Sequence, residues 1–419
     1  MRIKIIFLLL LLATVSASAS GCRHLDYIDV GEVVTTLQSP SPNPDHLTTS
    51  SNQQSPTPAT QPEADPGSQD QPNDFIVIGG FEYCISLTEL DLGFYGLFNE
   101  DIEPLRRMVN LVELKLRGNW ISDLSPLSEL TKLVWLDVAV NQVSDLSPIA
   151  NLAGLEYLDI VYNLITDITP LEKLTKLKEL HISSYPRGEY GPLESFSEEL
   201  EHNQICNLSP LMGLSDLEVL TMMGIGVTDI APLSSLSNLK TLNALLNPIY
   251  DISPLLGLSH LTSLDLQYCK VSDISPLSEL TNLEQLHLDG NAISNITPVS
   301  ALANLTSLSL SNNQISDIAP LAGLTSLHQL WLDDNKISDI TPLSGLTLLD
   351  SLVLRGNKIS DIGSLSGLVN LEQLILSDNN ICDISSLSGL VSLDVLSLIG
   401  NPISDWDPVS HVQYVSGRP

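Results

Sequence analysis

The sequence predicts an α/β fold, a solenoid of about fourteen stacked coils that follow a curved right-handed path. A parallel β-sheet would line the concave face, with short α or 3₁₀ helices on the convex face. Three observations support this prediction. A leucine returns after 22 residues in eleven of the thirteen intervals between Leu87 and Leu393. Leucines alternate with other residues at the start of each copy, and a helix-start signal follows further on.

One copy shows what each position contributes. The chain reads Leu-x-x-Leu-x-Leu-x-x-Asn-x-Ile from Leu305, and the next copy begins at Leu327. Because side chains alternate between the two faces of a strand, Leu308 and Leu310 point to one side and the residue between them to the other. Neighbouring copies then align their strands in a parallel sheet. This pattern is that of the leucine-rich repeat.

A column of asparagines follows the strands. At the turn that leaves each strand, a buried side-chain amide can donate to and accept from backbone groups of adjacent coils that would otherwise lack partners. Cys269 takes the place of asparagine in one copy. The column consists of Asn119, Asn141, Asn163, Asn203, Asn247, Asn291, Asn313, Asn335, Asn357, Asn379 and Asn401.

The helix-start signal is a serine or threonine followed by proline, as in Ser125-Pro126 and Thr341-Pro342. We expect the hydroxyl to cap free amides and the proline to occupy the first helical position. An aspartate stands two residues earlier in eleven copies, where negative charge favours a helix N-terminus. These residues are Asp123, Asp145, Asp167, Asp229, Asp251, Asp273, Asp317, Asp339, Asp361, Asp383 and Asp405.

The two ends of the solenoid need caps, because an end coil has no neighbour to cover its leucines. Residues 75–83 are predicted to form an N-terminal cap strand, and residues 406–415 to close the C-terminal end. We therefore assign residues 74–419 to one repeat domain with a cap at each end.

Targeting and linker signals occupy the first 73 residues. Residues 1–21 combine a basic start, an apolar stretch and small residues before Cys22, as in a lipoprotein signal peptide. Acylation of Cys22 would anchor the protein to a cell membrane, facing away from the cytoplasm. The alternative is cleavage after Ala19 and secretion. Residues 22–73 comprise the anchor cysteine and a tether, predicted to be disordered because it is rich in proline, serine, threonine and glutamine.

The repeats are similar to the internalin-type repeats of bacterial surface proteins. The similarity rests on residues 335–343, Asn-Lys-Ile-Ser-Asp-Ile-Thr-Pro-Leu, a phrase that recurs with the 22-residue period. It implies a curved solenoid whose concave sheet binds another protein. The chain contains no Leu-Pro-x-Thr-Gly sorting signal, so invasion of a host is not inferred. A eukaryotic phosphatase regulatory subunit has a similar repeat, but the export signal argues against that cytoplasmic role.

Residues that point out of the concave sheet are the candidates for partner binding. Trp135 and Tyr157 share one position in adjacent copies, and Asp137 and Asp159 share another. Since strands lie about 4.8 Å apart, we expect a continuous apolar and aromatic patch rimmed by carboxylates, as in protein-binding hot spots, and a basic partner. Later copies carry serine and glutamine, with Trp331 as a lone exception. The further members of the patch are Val161, Tyr162, Met223, Leu245 and Tyr268.

An insertion at residues 184–202 interrupts the repeat within this region. It adds Tyr185 and Tyr190 to the partner-binding candidates. Long loops in compact repeats are often functional, so we expect a flap that contacts the partner. The alternatives are a neutral insertion and, for the patch itself, aromatic residues that merely suit strands.

Composition excludes some functions. With 50 acidic and 18 basic residues the net charge is −32, which disfavours nucleic acid and leaves the N-terminal lipid as the expected membrane contact. Because motifs for metal, phosphate or nucleophilic chemistry are absent from the sequence, we expect a monomeric, non-enzymatic binding protein without cofactor or metal. Asp333 and Asp334 offer a weaker calcium hypothesis. Binding of a glycan or envelope polymer by the same face, and a structural spacer, are the alternative functions.

The cysteines within the repeats do not suggest a disulfide framework. They lie mostly several coils apart, beyond the short distance that a disulfide requires. We expect each to be a small buried residue. They are Cys84, Cys206, Cys269 and Cys382.

Overall fold

The structure is a computed structural model that describes residues 74–184 and 202–418. These residues form mainly short β-strands and short helices. Fifteen of the strands pair in parallel, each with its neighbour in the chain, and so confirm the predicted leucine-rich repeat solenoid. The strands are β1 (Phe75–Ile78), β2 (Phe81–Cys84), β3 (Glu89–Asp91), β4 (Glu113–Lys115), β5 (Trp135–Asp137), β6 (Tyr157–Asp159), β7 (Glu179–His181), β8 (Val219–Thr221), β9 (Thr241–Asn243), β10 (Ser263–Asp265), β11 (Gln285–His287), β12 (Ser307–Ser309), β13 (Gln329–Trp331), β14 (Ser351–Val353), β15 (Gln373–Ile375), β16 (Val395–Ser397) and β17 (Tyr414–Ser416).

The core is a set of leucine and isoleucine columns that run through the stack. Leu136 of β5 pairs with Leu158 of β6, and both are fully buried. Leu87, the first repeat leucine, differs from its counterparts because it is 37% exposed. It belongs to the end coil, which has no preceding repeat to cover it. Burial in this fold therefore depends on stacking between coils.

Within residues 74–184 and 202–418, the segments between strands contain 3₁₀ helices of three to five residues, together with one α-helix, α1 (Asn99–Ile102). Most begin at the residue before proline, so proline takes the second helical position instead of the predicted first. The 3₁₀ helices of the described residues are Glu103–Arg107, Ser125–Leu127, Ser147–Ile149, Thr169–Lys173, Ser209–Gly213, Ala231–Ser235, Ser253–Leu255, Ser275–Glu279, Thr297–Ala301, Ala319–Leu321, Thr341–Gly345, Gly363–Gly367, Ser385–Gly389 and Asp407–Val409.

The predicted cap residue at these helices was wrong. The backbone N–H of Ser125 donates to Asp123 Oδ1 at 2.7 Å, and its hydroxyl donates to Asp123 Oδ2 at 2.9 Å. The aspartate is therefore the acceptor of both bonds, and the serine is their donor. Asn207 and Asn295 accept the same backbone bond in copies that lack aspartate. A side-chain oxygen two residues earlier reaches the first free amide more easily than a hydroxyl inside the turn.

The asparagine column makes the contacts that the sequence predicted. Asn141 Oδ1 accepts the Ile121 N–H of the preceding coil at 3.0 Å. Its Nδ2 donates to the Leu116 carbonyl of that coil and to the Val138 carbonyl of its own coil, both at 3.0 Å. Each amide thus joins two coils at the end of their strands. In the copy with Cys269, the thiol approaches the Ala244 carbonyl at 3.5 Å.

The N-terminal cap is a hairpin where a single strand was expected. β1 and β2 pair antiparallel, and Gly79 and Gly80 form the turn with φ of +57° and +87°. Glycine adopts both angles without strain, so the chain reverses here. At the other end, Trp406 packs against the core and β17 completes the sheet.

Residues 1–73 and 185–201 lie outside the described residues. The signal peptide, Cys22, the tether and most of the insertion, including Tyr185 and Tyr190, therefore remain predictions. Within the described ranges, no helix has the length and hydrophobicity needed to cross a bilayer.

Candidate functional site

Two aromatic side chains stack on the open face of the sheet. β5 and β6 place Trp135 opposite Tyr157. Their ring centroids are 3.4 Å apart with an interplanar angle of 3°, and both residues are half-buried. His181 of β7 follows, with its ring 5.3 Å from that of Tyr157. The short repeat strands thus bring together two residues that the sequence separates by one copy, as predicted.

Asp137 and Asp159 do not form the exposed acidic rim that we expected. They are only 9% and 6% exposed. Asp137 Oδ1 accepts the Ala139 N–H at 2.9 Å, and Asp159 Oδ1 accepts the Val161 N–H at 3.0 Å. Each carboxylate folds back onto the turn that leaves its strand, where it satisfies a backbone donor. Their first role is therefore structural, and contact with a partner stays a prediction.

Sequence reasoning missed Arg117, which links these two aspartates. Its Nη1 lies 2.9 Å from Asp159 Oδ2 and 3.8 Å from Asp137 Oδ2. Arg117 comes just after the β4 strand, at the repeat position from which Val161, Met223 and Leu245 were chosen as candidates in later copies. The sequence did offer a signal for Arg117, namely its charge. The uncharged residues Ala139, Val161 and Ser183 occupy the same position in the next copies.

Burial and mutual repulsion change the protonation of this cluster. Burial, with the nearby Asp159 carboxylate, raises the pKa of Asp137 to about 6, although the Ala139 N–H and Arg117 act in the opposite direction. Burial and the Asp159 and Asp137 charges also raise the pKa of Tyr157 well above its ordinary value. Its phenol therefore stays protonated and can donate a hydrogen bond.

The residues around the stack are mainly acidic. Lys115 pairs with Glu113 at 2.6 Å, and Arg117 pairs with the buried aspartates. Six acidic and two basic residues give β3 to β7 and Arg117 a formal charge of −4, with histidine neutral. We call Trp135, Tyr157 and these charged residues the N-terminal patch; the charged members are Glu89, Asp91, Glu113, Lys115, Arg117, Asp137, Asp159 and Glu179.

The remaining predicted residues do not continue this patch. They lie in the turns after the strands, where Ser183 is buried between the copies that carry Val161 and Met223. Met223 and Leu245 are in consecutive coils, since the Gly224 N–H donates to the Leu245 carbonyl. The prediction of one continuous patch was therefore wrong. It assumed that strand and turn positions share one surface row.

Tyr162 and Tyr268 lie in turns with left-handed backbone. Their φ angles are +55° and +51°, and Val140 has +57° at the same position. Glycine fills this position in other copies, and an added Cβ at Gly290 would meet the Tyr268 ring. Tyr268 therefore lies along the turn of the next coil. Tyr162 contacts His202 edge-on at 5.9 Å.

Trp331 is not alone in the later copies. It pairs in register with Val353 of β14, and Val353 pairs with Ile375 of β15. All three are half-buried on the sheet face that carries Trp135 and Tyr157. Valine and isoleucine are frequent in strands, and this group was missed because only aromatic residues were sought there.

The acidic residues of the later coils bond to serines. Asp289 accepts the Ser309 hydroxyl, and Asp333 accepts the Ser311 hydroxyl. In the described part of the chain, no group of three or more His, Cys, Asp and Glu side chains is arranged to hold a metal ion.

The cysteine prediction holds for one residue only. Cys269 is buried, whereas Cys206 and Cys382 are exposed and Cys84 is half-buried. Cys206 and Cys382 occupy the position after the repeat isoleucine, where most copies have an outward-facing serine or threonine.

Comparisons with known proteins agree with this architecture. A family model described as leucine-rich repeats in two copies matches residues 153–195, 259–301, 303–345 and 347–389. No curated protein sequence matches the chain. Among solved structures, an internalin of Listeria monocytogenes is 31% identical over 81% of this chain and 91% of its own, with a TM-score of 0.63. A leucine-rich repeat protein of Leptospira interrogans is 25% identical over 76% of this chain and 77% of its own, with a TM-score of 0.64.

The solved internalin matches the chain across nearly its own full length. The repeat itself gives that match a physical basis. Each coil combines a three-residue strand with a 3₁₀ helix, and the asparagine and aspartate columns hold these elements in place. The chain belongs to the internalin-type leucine-rich repeat proteins.

Proposed function

We propose that this chain is an extracytoplasmic recognition protein, anchored through a lipid on Cys22, that binds a protein partner through its N-terminal patch. The Trp135–Tyr157 stack on the open sheet face carries this proposal. Aromatic side chains that are partly exposed and surrounded by charge are typical of interface hot spots. Solenoids also use their concave surfaces for binding.

The Trp135 indole carries a donor that the strand packing does not use. Its Nε1 is buried and has no hydrogen-bond acceptor among the described residues. An unsatisfied buried donor costs about 1–3 kcal/mol. Phenylalanine would stack on Tyr157 without that cost, so Trp135→Phe separates the stacking of the ring from its N–H.

The acidic surroundings indicate the charge of the partner. Glu113 and Glu179 flank the stack on β4 and β7. With a local formal charge of −4, the patch attracts a surface rich in lysine or arginine and repels an acidic one. Arginine suits it best, because the guanidinium both stacks on aromatic rings and pairs with carboxylates.

Site-specific cross-linking tests this proposal. The photoreactive residue p-benzoylphenylalanine replaces Glu179 in the full chain, expressed in its own cells. We expect a defined protein with a basic surface to be cross-linked, and Trp135→Ala to reduce its yield at least tenfold. Trp135→Phe should keep most of the yield, because the stacked ring remains. Tyr250→Ala, which removes a tyrosine 67% exposed away from the strands, is the control.

Two results would reject the proposal. One is an unchanged yield with Trp135→Ala in a variant that keeps the wild-type circular dichroism and melting temperature. The other is a glycan array on which the full chain binds a sugar in a Trp135-dependent manner while no protein is cross-linked. That result would favour the glycan alternative. A spacer would show neither response.

The anchor needs its own test. Wild-type chain expressed in bacteria should partition into the detergent phase of a Triton X-114 extract, and Cys22→Ser should move it to the aqueous phase. The matched control is Cys84→Ser, which changes a half-buried cysteine of the repeat domain. Recovery of wild-type protein in the aqueous phase or the culture medium would instead indicate secretion.

A further inference from the structure

A second apolar group lies on the sheet face of the N-terminal patch. It consists of Trp331, Val353 and Ile375 on β13, β14 and β15, which are consecutive in the sheet. We call it the C-terminal patch. The same strand position holds Ser309 on one side and Ser397 on the other. The apolar row therefore has defined ends.

The C-terminal patch is uncharged, in contrast to the N-terminal patch. The neighbouring row of its strands holds Gln329, Ser351 and Gln373, and the Ser351 hydroxyl donates to Gln373 Oε1 at 3.0 Å. Beyond the strands, Arg355 Nε and Asp378 Oδ2 form an ion pair at 2.9 Å. Asp333 and Asp334 follow β13 at the same edge, and Asp333 accepts the Ser311 hydroxyl. The strand rows of this surface therefore fit an uncharged apolar contact, because a charged group that is desolvated over them finds no ionic partner there.

The strands between the patches form a polar floor. Among the outward residues of β7 to β12, only Val219 is apolar. Ser307 and Ser309, next to the C-terminal patch, are each 8% exposed. These two small, buried side chains do not obstruct a body that lies across them, whereas the exposed Gln285 of β11 would contact it. A partner can therefore pass over these strands from one patch to the other.

The size of the two patches indicates a single occupant. Three strands of three residues cover only about 150 Å², whereas a stable interface buries about 800 Å² on each partner. Eight strand spacings separate β5 from β13, about 38 Å along the sheet. At the same footprint per strand, a partner that extends over the eleven strands from β5 to β15 would cover about 550 Å², close to the lower end of the range for stable interfaces. Neither patch reaches that size alone.

We propose that one elongated protein partner binds both patches, with a basic segment on the N-terminal patch and an uncharged apolar segment on the C-terminal patch. This inference rests on the proposed function. It adds that recognition has two contacts, one electrostatic and aromatic and the other apolar. The affinity then depends on both, because each anchors the same body.

The experiment compares cross-links from the two patches. One form of the full chain carries p-benzoylphenylalanine at Glu179 and another carries it at Gln373, an exposed residue of β15 beside the C-terminal patch. We expect mass spectrometry to identify the same protein from both positions, through different segments. The purified partner should then lose at least tenfold in affinity with Val353→Ser. The matched control is Val391→Ser, which changes a valine 79% exposed outside the strands.

Each result decides between the two proposals. A cross-link from Glu179 alone, or an unchanged affinity with Val353→Ser, overturns the two-contact inference and leaves the proposed function intact. Different proteins at the two positions also overturn it. Absence of cross-links at both positions rejects both proposals. Because the photoreactive residue at 373 replaces an exposed side chain, misfolding does not obscure the result, and Val353→Thr repeats the affinity test with a near-isosteric side chain.

Discussion

Aspartate serves two different purposes at the residue scale. In the column that precedes the 3₁₀ helices, Asp123 and its counterparts accept the first free N–H of the helix. Hydrogen bonds from Ser253 to Asp251 and from Thr341 to Asp339 lower the pKa of both exposed carboxyls. In the strand row, Asp137 is buried and its pKa rises to about 6. Ionisation of aspartate thus stabilises the folded state in the column before the 3₁₀ helices and destabilises it at Asp137 in the strand row.

The raised pKa of Asp137 predicts a pH dependence of stability. The folded pKa of about 6 exceeds the ordinary value of 3.8, so the folded state binds more protons between these values. Its stabilising effect is complete below the lower value and is lost as pH rises through the higher one. Between pH 7.5 and pH 5 the free energy of unfolding should therefore rise by about 1.4 kcal/mol from this residue.

Urea unfolding at the two pH values checks this prediction. Asp137→Asn keeps the acceptor for Ala139 and should lose that part of the rise. Asp91→Asn is the control, because Asp91 holds the Gly93 N–H in the same way but is exposed. An identical pH response in wild type and Asp137→Asn would show that the buried carboxyl does not titrate in this range.

Thiol accessibility gives a second prediction. With Cys22 replaced by serine, Cys206 and Cys382 should react quickly with Ellman's reagent in the native protein, because both are exposed. Burial raises the pKa of the Cys269 thiol to about 12, so it should react only after denaturation. Cys84, which is half-buried, should fall between them. Fast reaction of Cys269 in native protein would contradict its place in the asparagine column.

At the scale of the element, the repeat is a strand and a short helix held by two side-chain oxygens. The asparagine amide joins adjacent coils at the end of each strand, and the aspartate carboxylate starts the helix. Neither a three-residue strand nor a 3₁₀ turn is stable alone. These two polar columns and the leucine core therefore act together, and the coil forms only as part of the stack.

Asn335 tests the contribution of the asparagine column. Its Oδ1 accepts the Ile315 N–H at 3.0 Å, and its Nδ2 donates to the Leu310 carbonyl at 2.9 Å. Asn335→Leu leaves these buried groups unpaired and should destabilise by about 2–4 kcal/mol. Asn335→Cys, which copies the natural choice at Cys269, should cost clearly less. Equal melting temperatures for the two variants would argue against a hydrogen-bonding role.

Asp339 separates the charge of the helix-start aspartate from its hydrogen bond. Asp339→Ala removes the acceptor for the Thr341 N–H, which lies at 2.9 Å, and should lower the melting temperature. Asp339→Asn keeps an oxygen there, as Asn207 and Asn295 do in other copies, and should have a smaller effect. A larger loss with asparagine than with alanine would show that the bond is not the stabilising contact.

The whole repeat domain depends on its ends, because each coil obtains its burial from its neighbours. The β1–β2 hairpin covers the first coil through Ile78, which is 1% exposed, whereas Val77 on the opposite side is 55% exposed. Ile78→Asp places an unpaired charge in the core and should destabilise by at least about 3 kcal/mol. Val77→Asp should be almost neutral. Similar denaturation midpoints for the two variants would show that the hairpin is not the cap.

The sequence by itself determined the fold, because a strict repeat imposes one structure many times. The 22-residue period, the leucine alternation and the asparagine column each predicted what the structure contains. They also placed Trp135 beside Tyr157, since consecutive parallel strands bring equal positions together. Local patterns were sufficient wherever a contact joins a coil to its immediate neighbour.

Only the tertiary structure decided how that surface is used. It turned Asp137 and Asp159 inward onto their turns, bound Arg117 between them, and divided the predicted patch at Ser183. It also placed Trp331, Val353 and Ile375 in one row. These outcomes depend on where a side chain turns after it leaves the strand and on which groups compete for it. Repeat spacing specifies the backbone position of a residue, while the exposure and charge of its side chain are set by all the neighbours around it.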